Sequence, residues 1–417
     1  MRYHGGLGDG SLKSLSGVTV SAGGSGGRPA PLICLFSHSA GLGGAERSFT
    51  EVVSALSALG YQLRIMAPRR GPLVSRLAAE GLQVTRIPFR WWTALPGIGW
   101  PRRGLRTLWN LGVAVVAAGH LRRWRADLVY SNTLASCVGG LAARIARLPH
   151  VWHIREFGRE HSGTRFDLGE KIAMMAVKEL SDLVLVASRA LAEKYGGIAR
   201  PGRLQVLYQP VLVDDAWPVA PPADDILRCV VVGSFGPGKR QLDVVEAMAL
   251  LKPTIRARVE LDMAGGGEQR YRQRVLDAVA QAGLQDRIRI HGEVPNAIPL
   301  IAASRVLISA SQFEGFGRVI VEAMKLGRCV VGADSGATPE LIRHGETGFL
   351  YPVGDVAALA QILVRLAAHG SECDLMGAAA RHWANRRFTE GEFRAGLGTA
   401  FETVLRDRAE GRKAQVS

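Results

Sequence analysis

The chain has 417 residues, 47% of them hydrophobic and 21% charged, which is too long for one ordinary domain and suits two globular domains of about 180 residues each. No apolar run reaches the ~18–20 residues of a membrane-spanning helix; the longest lies around Val113–Ala118. The formal net charge of +15 is unevenly placed: residues 28–212 hold 25 Lys and Arg against 11 Asp and Glu, whereas residues 225–385 hold 18 against 17. An excess confined to one half points to a polyanionic partner for that half: nucleic acid, an anionic membrane surface or a phosphorylated acceptor.

Residues 1–30 are rich in Gly and Ser and lack an apolar stretch, so they are expected to be a disordered tail and not a secretory signal. From there short β-branched runs alternate with amphipathic stretches, the pattern of an α/β protein with parallel sheets. Pro31–Ser37, Leu63–Ala67, Leu128–Ser131, His150–Ile154 and Leu183–Ala187 are predicted strands, with helices at Glu46–Leu59 and Ala135–Arg147. Pro, Asp and Ala dominate Pro210–Asp225, which separates an N-terminal domain (31–212) from a C-terminal one (226–388) through a linker at 213–225. The second domain restarts the rhythm with strands at Arg228–Val232, Val259–Met263, Ile288–His291, Val306–Ser309 and Cys329–Gly332, and helices at Gln241–Leu251 and Tyr271–Ala282. Residues 389–417 are expected to supply a helix that packs back on the N-terminal domain, then a tail. Two doubly wound domains of this kind place a cleft at the carboxyl ends of their strands. Five scattered cysteines, without a C-x-x-C pair, suit a reducing cytoplasm and argue against structural zinc.

Four strings carry candidate chemistry. The first runs from Ser311 through Glu314, Gly315, Phe316, Gly317 and Arg318 to Glu322, after an apolar strand and into a helix. Glu314 falls in the loop, where it can face sugar hydroxyls, and Glu322 on the helix, where it can accept from a ribose diol. The two glycines let the backbone come close, so that N–H groups at the helix start can meet a diphosphate. A cap at Glu314 and a solvated Glu322 would explain the same spacing. The second, Val231 to Lys239 through Gly233, Ser234, Gly236 and Gly238, is a strand entering a Gly-rich turn that ends in a lysine able to meet phosphate oxygens; Arg240 after it rules out a P-loop. It also reads as a plain surface turn. The third, Ser39 to Arg47 with Gly43, Gly44 and Glu46, can seat a ligand at a helix start or simply make a tight turn with Glu46 favoured by the helix dipole. The fourth, His153 and Arg155 with Glu156, stands at the end of a strand, where His153 is equally readable as a structural histidine.

Together these strings resemble family 4 of the nucleotide-sugar glycosyltransferases, with its GT-B fold of two Rossmann-like domains facing a central cleft. The likeness spans about residues 31–405. Glu314 and Glu322 match its E-x7-E motif, reinforced by Asp334 to Ile342 and His344 to Leu350. Gly43-Gly44-Ala45-Glu46 and Tyr130-Ser131-Asn132-Thr133 resemble its N-terminal loops. The resemblance implies that Glu314 binds donor-sugar hydroxyls beside the backbone of Gly315, Phe316 and Gly317, that Glu322 holds the ribose, and that Lys239 holds the diphosphate. Gly233, Ser234, Arg318 and Val294 are assigned to the donor side, His153 to the reacting sugar, and Gly43, Gly44, Glu46, Arg155 and Asn132 to the cleft and acceptor. Many relatives carry an Arg where this chain has Ser234; Arg318, Arg240 and Arg155 are the candidates to replace its charge. The implied reaction retains anomeric configuration and uses no metal or other cofactor, and no D-x-D cluster stands where it would hold Mg²⁺.

The basic half mixes Arg and Trp densely from Arg90-Trp91-Trp92 through Trp109 to Arg125, a composition suited to a membrane interface. It predicts a cytoplasmic enzyme, peripheral on an anionic inner leaflet, acting on a saccharide or a polyprenyl-diphosphate-linked acceptor. Tryptophans in the core with merely solvated arginines would look the same in sequence. Two other functions are a sugar-nucleotide epimerase of similar fold and a non-enzymatic polyanion-binding protein. No nucleic-acid-binding motif is present, and aromatic residues are only 6% of the chain, so nucleic acid is not the expected partner.

Overall fold

The runs of β-branched and aliphatic residues become strands covered on both faces, as parallel sheets require. A computed structural model describes residues 29–41, 43–94, 98–158, 165–214, 217 and 225–414, the last four without their side chains. The expected tail, except its last two residues, and most of the expected linker lie outside the described residues. In the N-terminal lobe the strands are β1 (Leu32–Phe36), β2 (Gln62–Ala67), β3 (Gln83–Arg86), β4 (Thr93–Ala94), β5 (Leu128–Asn132), β6 (His150–Ile154), β7 (Arg165–Phe166), β8 (Leu183–Val186) and β9 (Leu204–Val206). Seven of them form a parallel sheet in the order β3-β2-β1-β5-β6-β8-β9, while β4 and β7 pair as a small antiparallel ribbon. In the C-terminal lobe β10 (Leu227–Val232), β11 (Val259–Ala264), β12 (Ile288–Gly292), β13 (Val306–Ser309), β14 (Cys329–Ala333) and β15 (Gly348–Tyr351) form a parallel sheet in the order β12-β11-β10-β13-β14-β15.

Both sheets are doubly wound, and each reverses its strand order once: between β1 and β5, and between β10 and β13. At such a switch point the flanking loops leave in opposite directions and open a crevice beyond the carboxyl ends of the strands. Chain reversal at these two places is therefore what positions a site.

Three strands of the sheets escaped the sequence reading. β3 and β9 are short edge strands whose residues are at most half-buried, so no apolar run marks them. β15 opens on a glycine and closes the edge of its sheet in four residues. The helix expected from residue 135 begins only at Val138.

The helix Glu390–Ala414 belongs to the N-terminal core although it ends the chain. Phe393, Leu397, Ala400, Phe401 and Val404 recur at helical spacing and are buried in one cluster with Ile33, Leu35 and Tyr130. The ring of Phe401 lies 6.1 Å from that of Tyr130, and Asp407 accepts from Arg203 at 2.5 Å. A second cluster runs through both lobes, joining Trp152 and Ile154 to Phe316 and Ile320.

Candidate active site

In the C-terminal lobe, the turn after β10 and the loop after β13 meet at the switch point. Gln312 N donates to the carbonyl of Gly238 at 2.9 Å, which fixes the two loops side by side. Across that joint Lys239 Nζ donates to Glu314 Oε2 at 2.7 Å. Both side chains are partly open, so the ammonium keeps donors for a phosphate while holding the carboxylate. Ser234 is exposed at the start of the turn, its carbonyl accepting from Gln241 Nε2 at 3.1 Å, and a Cβ on Gly233 would stand 3.8 Å from the Lys239 stem.

The glycines of the loop also answer to packing. A Cβ on Gly315 would stand 2.3 Å from the carbonyl oxygen of Arg155, so this residue is one of the points where the two lobes touch. Gly317 caps the helix Arg318–Lys325 at φ +91°, where any side chain would also meet Leu341 at 2.7 Å. Phe316 is buried between Tyr208 and Phe388, with centroids 6.3 and 5.6 Å away. Only its backbone is available to a ligand.

Glu322 is buried on that helix. Arg318 Nε lies 3.3 Å from Glu322 Oε1, and its Nη1 lies 2.6 Å from Glu51 Oε1 on the N-terminal helix Gly44–Ala58. Burial pushes both carboxyls up, and Arg318 pulls each back down; Arg47 adds a further pull on Glu322. Two carboxylates sharing one guanidinium across the cleft thus form a cross-lobe bridge. Val294 is half-buried after β12, beside Pro295, whose carbonyl accepts from Arg47 at 3.4 Å.

The N-terminal half gathers at the ends of β1, β5 and β6. Arg155 Nε donates to Asn132 Oδ1 at 2.7 Å and its Nη2 to Tyr130 OH at 3.2 Å, with His153 Nδ1 3.3 Å away. An arginine only donates, so His153 Nδ1 is the accepting nitrogen and the ring proton sits on Nε2. His153 Nε2 and Arg155 Nη1 are both buried without a partner. Burial, then the Arg155 charge, holds His153 well below the usual imidazole range, so it is neutral at pH 7. The ring is fully buried, against Tyr130 and Arg155. Asn132 Nδ2 also donates to the carbonyl of Ala45 at 3.2 Å, which anchors the Gly43–Gly44 helix start to β5. Glu46 curls back over that start, 2.8 Å from where a Cβ on Gly43 would be, with Oε1 3.5 Å from His38 Nε2.

Sequence reasoning missed His38, Glu51 and the role of Tyr130. His38 follows β1 directly, and its imidazole stacks on Trp91 with centroids 5.9 Å apart. A histidine just past a predicted strand at a switch point is the signal that could have found it. Glu51 had none, since an acid on an amphipathic helix reads as solvated. Glu340 turned out to join the lobes: its oxygens accept from the backbone N–H groups of Arg189 and Ala190 at 2.8 Å each and from Tyr208 OH at 2.7 Å. Among the described residues no three His, Cys, Asp or Glu side chains gather as a metal site.

Two doubly wound parallel-sheet lobes, each reversing its strand order once, make up the GT-B fold. Comparison with known proteins agrees. Residues 227–369 match the family model described as glycosyl transferases group 1, and residues 43–208 match the glycosyl transferase 4-like domain. The chain therefore belongs to the family 4 glycosyltransferases. It is 31% identical over 181 residues to N-acetyl-alpha-D-glucosaminyl L-malate synthase of Bacillus anthracis, covering 43% of this chain and 46% of that protein. It is 29% identical over 295 residues to D-inositol 3-phosphate glycosyltransferase of Streptomyces scabiei, covering 64% and 66%. The match thus spans about half of the first relative's length and about two thirds of the second's. The fold aligns with Anabaena HepE, solved in complex with UDP and glucose, at a TM-score of 0.71 and 23% identity over 89% of this chain and 99% of that one.

Proposed function

We propose that this chain is a retaining glycosyltransferase. It moves a sugar from a nucleotide diphosphate donor, UDP-linked in the first instance and GDP-mannose in the second, to a saccharide or polyprenyl-diphosphate-linked acceptor, on the cytoplasmic side and without a metal. The observation that carries the reading is the Lys239–Glu314 pair, 2.7 Å long, at the β10/β13 switch point and next to the Gly315–Arg155 lobe contact. In this reading Glu314 accepts from donor-sugar hydroxyls and Glu322 from the ribose.

In the reaction the bond between the anomeric carbon and the β-phosphate oxygen breaks, and charge grows on the leaving diphosphate. Preformed donors aimed at that charge lower the barrier most. Lys239 is one. For the position vacated at Ser234, the three arginines are now unequal. Arg240 is taken by Asp243 at 2.6 Å, and Arg318 sits between Glu51 and Glu322. Arg155 is bound by neutral groups, has a free buried N–H, and lies against the glutamate-bearing loop. It is the arginine we assign to the leaving group. His153 Nε2–H donates to a sugar oxygen, the acceptor oxygen bonds to the anomeric carbon on the face from which the diphosphate left, and a phosphate oxygen takes the acceptor's proton.

The UDP reading draws on HepE, whose crystals hold UDP. Two relatives are named for the anionic molecules malate and inositol 3-phosphate, which fits an anionic acceptor against the basic lobe. The test is product analysis by NMR with UDP-glucose, UDP-N-acetylglucosamine and GDP-mannose, with and without acceptor. The account expects an α-linked product from an α-linked donor. An inverted linkage sinks the retaining mechanism, and a changed free sugar formed without acceptor would favour the epimerase.

A further inference from the structure

The helix Trp100–Trp124 is apolar on two opposite faces, and only one of them is covered. Val113, Ala114, Ala117, Ala118 and Leu121 are buried against β1 and the helix Val138–Ala146. At 100° per residue, Leu105, Leu108, Trp109, Val115 and Val116 fall within about 120° of one another on the other side. All five are exposed: 67%, 66%, 48%, 59% and 57%. A monomeric surface scatters single apolar residues, as the C-terminal lobe does with Leu250, Leu276 and Leu375; a continuous stripe of this kind marks an interaction site.

The charges around the stripe select its occupant. The helix carries no acidic residue. Arg102 begins it, and Arg122 and Arg123 end it, all three exposed. The arginines that do find acids point elsewhere: Arg106 is bound by Asp167, and Arg103 donates to the backbone of Phe166 at 2.8 Å. Directly after Asp167 the chain presents a second exposed apolar group, Leu168, Ile172 and Met175, beside the exposed lysines Lys171 and Lys178. Two copies of the chain packed stripe against stripe would bring Arg102, Arg122 and Arg123 together with no acid on their helix to pair them, whereas Lys171 and Lys178 each have an exposed glutamate, Glu170 and Glu179, next to them in the chain. A bilayer bearing anionic headgroups offers both things the surface lacks, an apolar layer for the stripe and negative charge for its ends.

We infer that this face of the N-terminal lobe docks in the interface of an anionic phospholipid bilayer. No helix among the described residues is long and apolar enough to cross a membrane. This one lies in the interface plane, its other face held in the lobe's core. Docking brings the cleft to the membrane surface, because Trp91, half-exposed in the chain just before the helix, donates its Nε1–H to the carbonyl of His38 at 2.7 Å and stacks on the His38 ring. A lipid-linked acceptor could then enter from the bilayer; that last step rests on the proposed function, while docking itself does not.

The test is flotation of the full chain with phosphatidylcholine vesicles, with and without phosphatidylglycerol, at low and high salt. The wild type should float with the anionic vesicles, be released by salt, and show a blue shift of tryptophan emission. Leu108→Glu/Val116→Glu and Arg102→Glu/Arg123→Glu should each lose about tenfold or more of the bound fraction. Both pairs are exposed, so the melting temperature and its rise with UDP should stay at wild-type values, which separates a failure of docking from a failure of the donor site. Equal flotation on neutral vesicles, or variants that float like wild type, overturns the inference. So does a dimer in sedimentation that Leu108→Glu dissolves, which would assign the stripe to a second copy.

Discussion

The two lobes share one architecture and divide the work differently. The C-terminal lobe is nearly neutral, and its site is contiguous: Lys239 closes one turn, and Glu314 to Glu322 fill a single loop and helix. The N-terminal lobe is strongly basic, and its candidate site is assembled from Tyr130, Asn132 and His153 on β5 and β6 with His38 and Arg155 just past the ends of β1 and β6, tied by hydrogen bonds. A contiguous set can grip a ligand on its own. A dispersed one depends on the whole sheet keeping its register, and on the second lobe arriving over it. The comparison teaches that donor affinity should belong to the C-terminal lobe and the chemical step to the closed pair.

The largest expected effect falls on the helix that ends the chain yet completes the N-terminal core. Phe401→Ala should cost about 3–5 kcal/mol in denaturant unfolding, the range for truncating a buried Phe. A loss under about 1 kcal/mol would mean that the N-terminal lobe stands without it. Next comes the division of labour itself: Arg155→Ala should lower kcat by ~10²–10³ and leave the affinity for the intact nucleotide-sugar donor nearly unchanged. If affinity falls as much as turnover, the two lobes are not separable in this way.

A third test uses pH. His150 is fully buried, with Nδ1 on the carbonyl of Leu180 at 2.9 Å and Nε2 on Ser131 Oγ at 2.8 Å, and burial lowers its pKa to about 4. The unfolded chain binds this proton near pH 6.5 and the folded one only near 4. Its stabilisation is therefore complete above about pH 6.5 and is lost as the pH falls toward 4, by on the order of 3 kcal/mol. His38 and His153 are lowered as well, and the slope should steepen with them. Thermal melts from pH 8 to 4.5 read this slope, and His150→Gln should flatten it. The smallest effect is at the joint between lobes: Glu340→Ala removes a carboxylate that caps the helix Arg189–Tyr195 from the other lobe, worth about 1–2 kcal/mol. Limited proteolysis near residues 208–217 should quicken if that carboxylate holds the lobes in place.

Much of this was legible in the sequence wherever one physical signal acted locally. The strand at His150–Ile154 and the string from Glu314 to Glu322 were readable because burial on two faces and chain reversal at glycines leave a mark within a few residues. The reason for those glycines was not. Gly315 is required by Arg155, 160 positions away in the chain, through a backbone contact that no spacing rule contains. Glu51 was invisible for the same reason: its partner, Arg318, comes from the other lobe. The proposed choice of Arg155 over Arg240 and Arg318 rests on the carboxylates beside the other two, of which Glu51 comes from the opposite lobe. The Arg–Trp segment was half legible; composition gave the chemistry, and only the fold separated buried Trp92 from exposed Trp100 and Trp109.

The central claim is that a donor diphosphate is held where Lys239 meets the Glu314 loop, and calorimetric titration of UDP and uridine monophosphate tests it most directly. Lys239→Met should weaken UDP about 10–100-fold and leave the monophosphate within about twofold, since only the terminal phosphate loses its cation. Equal weakening of both nucleotides, or UDP binding that matches wild type, contradicts the account.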